Sequence, residues 1–129
     1  MTAFFVPIEK KTHDNNFFRE VLFTGKYAQL VVMCLQGGEE IGNEVHPNVD
    51  QFFRVEEGEA TFVIEGIDKH QVKNGDAVIV PAGTYHNVIN TSKNKKLKLY
   101  TIYSPPNHLD KTIHKTKAEA EKAEAAEHH

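Results

Sequence analysis

Gly75-Asp76-Ala77-Val78-Ile79-Val80-Pro81-Ala82-Gly83-Thr84-Tyr85-His86-Asn87-Val88-Ile89-Asn90 reads as a strand, a sharp reversal and a second strand. Gly75, within Asn74-Gly75-Asp76, permits the tight turn that leads in. Pro81 ends the first strand, because it has no N–H to give to a ladder. Gly83 lets the chain fold back sharply. His86 opens the returning strand and can point into whatever the strands enclose. A lone histidine in a hairpin is ordinarily incidental. The register Gly75-x5-Pro81-x-Gly83-x2-His86-x3-Asn90 favours a placed histidine instead.

Upstream lies Glu44-Val45-His46-x4-Gln51-x6-Gly58. Residues i and i+2 of a strand share a face, so Glu44 and His46 can converge on one ion. A turn over Pro47–Asp50 would bring the next strand alongside and let Gln51 approach the same point. Read alone, this stretch is equally a polar edge strand.

Between and around these stretches run short segments rich in Val, Ile, Phe and Tyr, punctuated by Gly, Asn and Asp. Strands are expected at Glu20–Thr24, Tyr27–Gln36, Ile41–His46, Gln51–Glu56, Ala60–Glu65, His70–Lys73, Ala77–Val80, His86–Asn90 and Leu97–Tyr103. Many short strands without helical crossovers argue an all-β sandwich or barrel. The alternation Lys96-Leu97-Lys98-Leu99 puts the leucines, and with them Thr101 and Tyr103, on the inward face. The Lys93–Lys98 run reads as a solvated strand edge. Arg54, alternating with Gln51 and Phe53, faces away from Glu44 and His46.

The character changes at Pro105-Pro106. Thr116-Lys117-Ala118-Glu119 is a capping-box pattern, and the Ala, Glu and Lys after it predict a short helix from about Lys117 to Glu127. Its apolar face is alanine only, which predicts loose docking or fraying. The chain thus divides into an N-terminal strand segment (1–26), a barrel (27–104) and a C-terminal loop and helix (105–129). His13 and His70 read as surface residues, and His108 and His114 as solvated loop residues, one of which could fold over the barrel mouth. No functional weight falls on His128 and His129, which are native or the stub of a tag.

Composition narrows the function classes. A chain of 129 residues fits one domain and buries about two-thirds of its unfolded surface. The net charge of −3 lacks the basic footprint of a nucleic-acid binder. No run is long enough to span a membrane, and the apolar stretch Met1–Pro7 is too short for a signal h-region and lacks a basic flank before it. The one cysteine, Cys34, lies in the apolar run Leu30–Leu35, where a buried inert thiol is expected. A cytoplasmic protein follows as the expectation.

Together the two stretches resemble the paired motifs of the cupin superfamily, Gly-x5-His-x-His-x3,4-Glu-x6-Gly and Gly-x5-Pro-x-Gly-x2-His-x3-Asn, in that order. The resemblance implies a double-stranded β-helix, or jelly-roll barrel, with a divalent metal ion. His46 and His86 match two of the family's ligand histidines, and Gly38 supplies the opening glycine if Glu44 takes the first-histidine slot. Glu44 thus stands for a histidine and Gln51 for the glutamate. The shorter permitted spacing would choose Asp50, but Gln51 keeps the six-residue gap to Gly58. The implied metal set is Glu44, His46, Gln51 and His86, with the single negative charge moved from the last carboxylate to Glu44. Imidazole and carboxylate suit manganese, iron, zinc, nickel or cobalt. The poorer carboxamide donor predicts weaker retention than in a standard cupin, with a vacated site as the alternative.

Gln51-Phe52-Phe53-Arg54-Val55-Glu56-Glu57-Gly58, Tyr103-Ser104-Pro105-Pro106 and the Lys-Ala-Glu tail are similar to short bacterial cupins described as mannose-6-phosphate isomerase-like. That implies a metalloenzyme acting on a small polar, sugar-like molecule, with Tyr103 or His108 as candidate proton carriers. Only two arginines, Arg19 and Arg54, speak against a phosphorylated substrate. An iron or manganese oxygenase or lyase, and a barrel that binds a small ligand without turnover, are the other readings. Resemblance also implies a homodimer, with Phe4, Phe5, Phe17 and Phe18 as interface or strand-exchange material.

Overall fold

The computed structural model describes residues 2–127; His128 and His129 lie outside them. The strands are β1 (Arg19–Thr24), β2 (Gln29–Leu35), β3 (Asp50–Glu57), β4 (Glu59–Ile64), β5 (Asp68–Lys73), β6 (Ala77–Val80), β7 (His86–Asn90), β8 (Leu97–Ser104) and β9 (Ile113–His114). They form two antiparallel sheets, in the orders β6-β3-β8-β2-β1-β9 and β5-β4-β7. The reversal quoted above is present: Gly75 and Gly83 adopt φ of 90° and 81°, values that L side chains rarely tolerate.

The inner faces of the sheets make one core. Val31, Met33, Leu35, Phe53, Val55, Leu97 and Leu99 come from the larger sheet, and Ala60, Phe62, Val72 and Val88 from the smaller. Phe53 and Phe62 meet edge to face across the gap, with centroids 5.0 Å apart. The period of two in β8 holds: Leu97, Leu99, Thr101 and Tyr103 are all buried. The result is an all-β jelly-roll barrel with a short C-terminal helix, α2 (Lys117–Glu127).

Four expectations need correction. The Ile41–His46 segment is not a continuous strand and touches β7 only through isolated bridges at Glu40–Ile89 and Glu44–His86. The cause is local: Gly42 stands at φ 106° and gives its N–H to the Asn87 side chain, which interrupts the ladder. The first 26 residues contain a helix, α1 (Ile8–Asp14), besides β1. Its sequence has no apolar stripe. It begins after Pro7, carries Glu9 in its first turn and Lys11 and His13 in its last, and is closed by a Lys10–Asp14 pair.

Lys98 is not at a solvated edge, since β8 is flanked by β3 and β2 and the Lys98 ammonium donates to the His13 carbonyl of α1. Phe18 belongs to the chain's own core, while Phe4 stacks on Phe23.

At the other end, α2 is capped as its sequence predicts. Thr116 Oγ1 accepts from the Glu119 N–H, and the Glu119 carboxylate accepts from the N–H groups of Thr116 and Lys115. It is docked through Ala120, which is buried in the core cluster.

Candidate metal centre

The reversal before β7 places His86. Its N–H donates to the Glu44 carbonyl and its own carbonyl accepts the Glu44 N–H, both at 2.9 Å, so the two side chains are antiparallel neighbours on one face. The Gly83 N–H donates to the His46 carbonyl at 2.9 Å and ties the reversal to the second histidine. One ligand atom each from Glu44, His46 and His86 lies within 4.8 Å of the others. Glu44 Oε1 is 3.4 Å from His46 Nε2 and 3.6 Å from His86 Nε2. These gaps are long for hydrogen bonds, but metal–ligand bonds of about 2.1 Å separate neighbouring ligand atoms by roughly 3.0–3.5 Å.

The tautomer of His86 is set by its other nitrogen. Nδ1 is 3.0 Å from the Thr84 carbonyl and must donate to it, which leaves Nε2 as the lone-pair donor facing Glu44. Gln51 is held similarly. Its Nε2 donates to Thr101 Oγ1 at 2.9 Å, and that hydroxyl donates to the Phe52 carbonyl. Gln51 Oε1 is left buried without a partner, as are His46 Nε2 and His86 Nε2. Unsatisfied buried polar atoms are rare and cost about 1–3 kcal/mol each. The donor set therefore fits a divalent ion. Asp50 is placed differently: it is exposed, and its Oδ1 accepts the Ala82 N–H. Gln51 is on the inward face of β3, paired with Tyr103 across the ladder.

Charge is concentrated on Glu44. Burial pushes its carboxyl upward, but the His46 and His86 imidazoles outweigh burial and hold it at about 2. For His86, burial is overcome by the Glu44 carboxylate, and the imidazole is raised.

Above the cluster opens a cavity of about 850 Å³, lined among others by Glu44, His46, Arg19, His108, His114 and Glu124. The expectation that His108 and His114 are solvated is corrected here. His108 Nε2 lies 3.2 Å from the Tyr103 hydroxyl, and its ring meets that of Tyr103 edge-on. Burial, with the Arg19 charge adding to it, lowers the His108 imidazole to about 3. Burial likewise raises the Tyr103 phenol, which keeps its proton. Tyr103 in turn packs edge-on against His46, so it stands between the cluster and His108. His114 is in β9, with Nδ1 3.2 Å from Arg19 Nη1.

Two residues of this region were missed in the sequence. Gln29 is fully buried; its Oε1 accepts the N–H groups of Asn107 and His108, and its Nε2 donates to the His108 carbonyl. It pins the loop over the barrel. Arg19 is 2% exposed and lines the cavity. Both are polar residues at inward positions, in phase with Val31 and Val21 respectively. That phase was the available signal.

Residues 31–103 match the family model described as Cupin domain. The chain is 50% identical over 126 residues to Uncharacterized protein YrkC of Bacillus subtilis strain 168, covering 94% of this chain and 67% of that protein. It is 41% identical over 109 residues to Uncharacterized protein L612 of Acanthamoeba polyphaga mimivirus, covering 82% and 68%. Among solved structures, it superposes on BH2720 from Bacillus halodurans with a TM-score of 0.90 and 44% identity, covering 94% and 95% of the two chains. No helix among the described residues is long and apolar enough to cross a membrane.

Proposed function

The chain belongs to the cupin domain family, and we propose that it holds one divalent ion with Glu44, His46, His86 and Gln51 and acts on a small polar molecule taken into the cavity above them. The observation that carries this reading is the trio of buried donor atoms that make no hydrogen bond among the described residues, His46 Nε2, His86 Nε2 and Gln51 Oε1, the first two lying 3.4 and 3.6 Å from Glu44 Oε1. Two of them belong to side chains whose other polar atom is already tied down. Bound there, manganese, iron, zinc, nickel or cobalt would polarise a carbonyl or a water molecule.

The chain's own residues would do the rest. Glu44 brings the one negative charge of the set, and Thr101 and the Thr84 carbonyl orient Gln51 and His86. His108, a neutral imidazole on the cavity wall, can hydrogen-bond a bound molecule, with the Tyr103 phenol behind it; held at about 3, it is too weak a base to take the substrate's proton itself. The mannose-6-phosphate isomerase-like reading, proton transfer next to a carbonyl, therefore rests on the polarising ion and on the motif resemblance, and the oxygenase, lyase and binding-only readings stand beside it. The buried thiol of Cys34 suits a reducing cytoplasm.

Plasma mass spectrometry of tag-free protein is the test. Near-stoichiometric metal is expected in the parent, and little in His46→Ala or His86→Ala. A parent that stays empty after incubation with manganese, iron, zinc and nickel would sink the metal centre and leave a ligand-binding barrel.

A further inference from the structure

We propose that Arg19 is an anion-recognition residue, and that the molecule entering the cavity is a small carboxylate whose charged end meets this guanidinium while its other end faces Glu44, His46 and His86. The inference rests on the cluster's reading as a metal centre for the role of that second end, but not for the role of Arg19.

Among the lining residues Arg19 is the one lysine or arginine. Its place is fixed by ladder pairs to Met33 on one side and His114 on the other. Its guanidinium lies over the Phe18 ring, 5.3 Å from the centroid. A charge so thoroughly removed from water calls for full pairing, and Arg19 does not have it. Nη1 lies 3.2 Å from His114 Nδ1, and Nε is buried with no hydrogen-bond partner among the described residues. The one carboxylate paired with it among the described residues, Glu124 Oε1, is 3.6 Å away, too far for a well-formed hydrogen bond. Glu124 sits on α2 with about half its side chain in solvent, so it can withdraw.

A planar guanidinium with an unused N–H beside a cavity matches the two parallel oxygens of a carboxylate. Charge points the same way. With a divalent ion held by Glu44, and with Glu124 opposing Arg19, the cavity keeps one positive charge. It keeps two once Glu124 withdraws, so an anion is called for, and the carboxylate that Glu124 itself presents to Arg19 is the group this place accommodates. Glu124 then acts as an internal stand-in that an incoming carboxylate displaces.

The test is titration calorimetry with 3-hydroxypropionate and 4-hydroxybutyrate as probes, against their neutral counterparts 1,3-propanediol and 1,4-butanediol. Manganese-loaded and chelator-treated protein are both titrated. At least one acid is expected to bind about tenfold tighter than its diol in the parent. Arg19→Gln erases that preference and Arg19→Lys keeps part of it. Glu124→Gln, which removes only the competing carboxylate, strengthens acid binding.

If the Arg19–Glu124 pair merely docks α2, Arg19→Gln and Glu124→Gln shift binding in the same direction, and that result overturns the proposal. So does an acid preference that survives in folded Arg19→Gln. Should Arg19→Gln fail to fold, the sign of the Glu124→Gln effect and the Arg19→Lys titration decide. Metal content is read on the same samples. An Arg19-dependent preference in protein that takes up no metal removes the metal centre and leaves this inference standing. Full metal with no acid preference does the reverse.

Discussion

His108 stays neutral far below the pH at which a free imidazole takes up a proton, because folding strips it of water and sets it near Arg19. An unfolded chain has no such restraint. Between the ordinary histidine value of about 6.5 and the folded value of about 3, the unfolded state binds one more proton at this position, so stability falls as the pH falls through that window. The loss is at most about 1.4 kcal/mol per pH unit. Glu44 acts only lower, between 4.5 and about 2. His86, whose imidazole is raised, acts in the opposite sense above 6.5. Chelator-treated His108→Asn is therefore expected to lose less melting temperature than the parent between pH 7 and pH 5. Equal losses would mean that His108 already reaches water in solution. What the sequence disclosed at this scale follows the same line. His86 and His46 could be read because neighbouring turns and fixed spacings announce them. His108 could not, because a neighbour on another strand, Gln29, holds its backbone in place. Arg19 was hidden by one residue of uncertainty in where β1 begins.

At the scale of elements, α2 is an eleven-residue helix of alanine, glutamate and lysine, too short to persist alone. Two things hold it: the reciprocal Thr116–Glu119 cap and the seating of Ala120 in the core. Removing the cap with Thr116→Ala should cost about 1 kcal/mol locally, or roughly fivefold faster amide exchange across residues 117–127. Exchange in β3 and β8 should not change. Exchange that quickens in those strands as well would place the helix in the barrel's cooperative unit. The capping box was legible because it is purely local, and so was the β8 alternation. α1 was not legible, since nothing in Ile8–Asp14 repeats with the helical period. Its stability comes from across the chain, where Lys98 bonds its last turn and Glu57 meets His13 at 3.1 Å. The Ile41–His46 strand failed for a related reason, because a side chain from β7, Asn87, took the place of a backbone partner.

The whole molecule leaves apolar surface that one copy does not cover. Phe5, Ile67 and Ile79 are 89%, 80% and 69% exposed. Ile79 is on β6, which forms one open edge of the larger sheet, and β5 forms an open edge of the smaller. Between these edges lies a groove of about 450 Å³ lined by Phe62, Ile64, Val72, Val78 and Val80. Unpaired edges beside apolar surface invite another strand or another copy. Ile79 lines the groove, so groove and rim can serve both copies in a self-complementary two-fold contact. A homodimer through this face is therefore the expected assembly. Light scattering at micromolar concentration should report twice the 14.6 kDa of the chain. Ile79→Glu should halve that mass while leaving the fold intact, because the side chain it replaces touches solvent rather than the core. A parent that scatters as a single chain would refute the dimer. A dimer indifferent to Ile79→Glu would move the contact elsewhere, to the surface around Phe5.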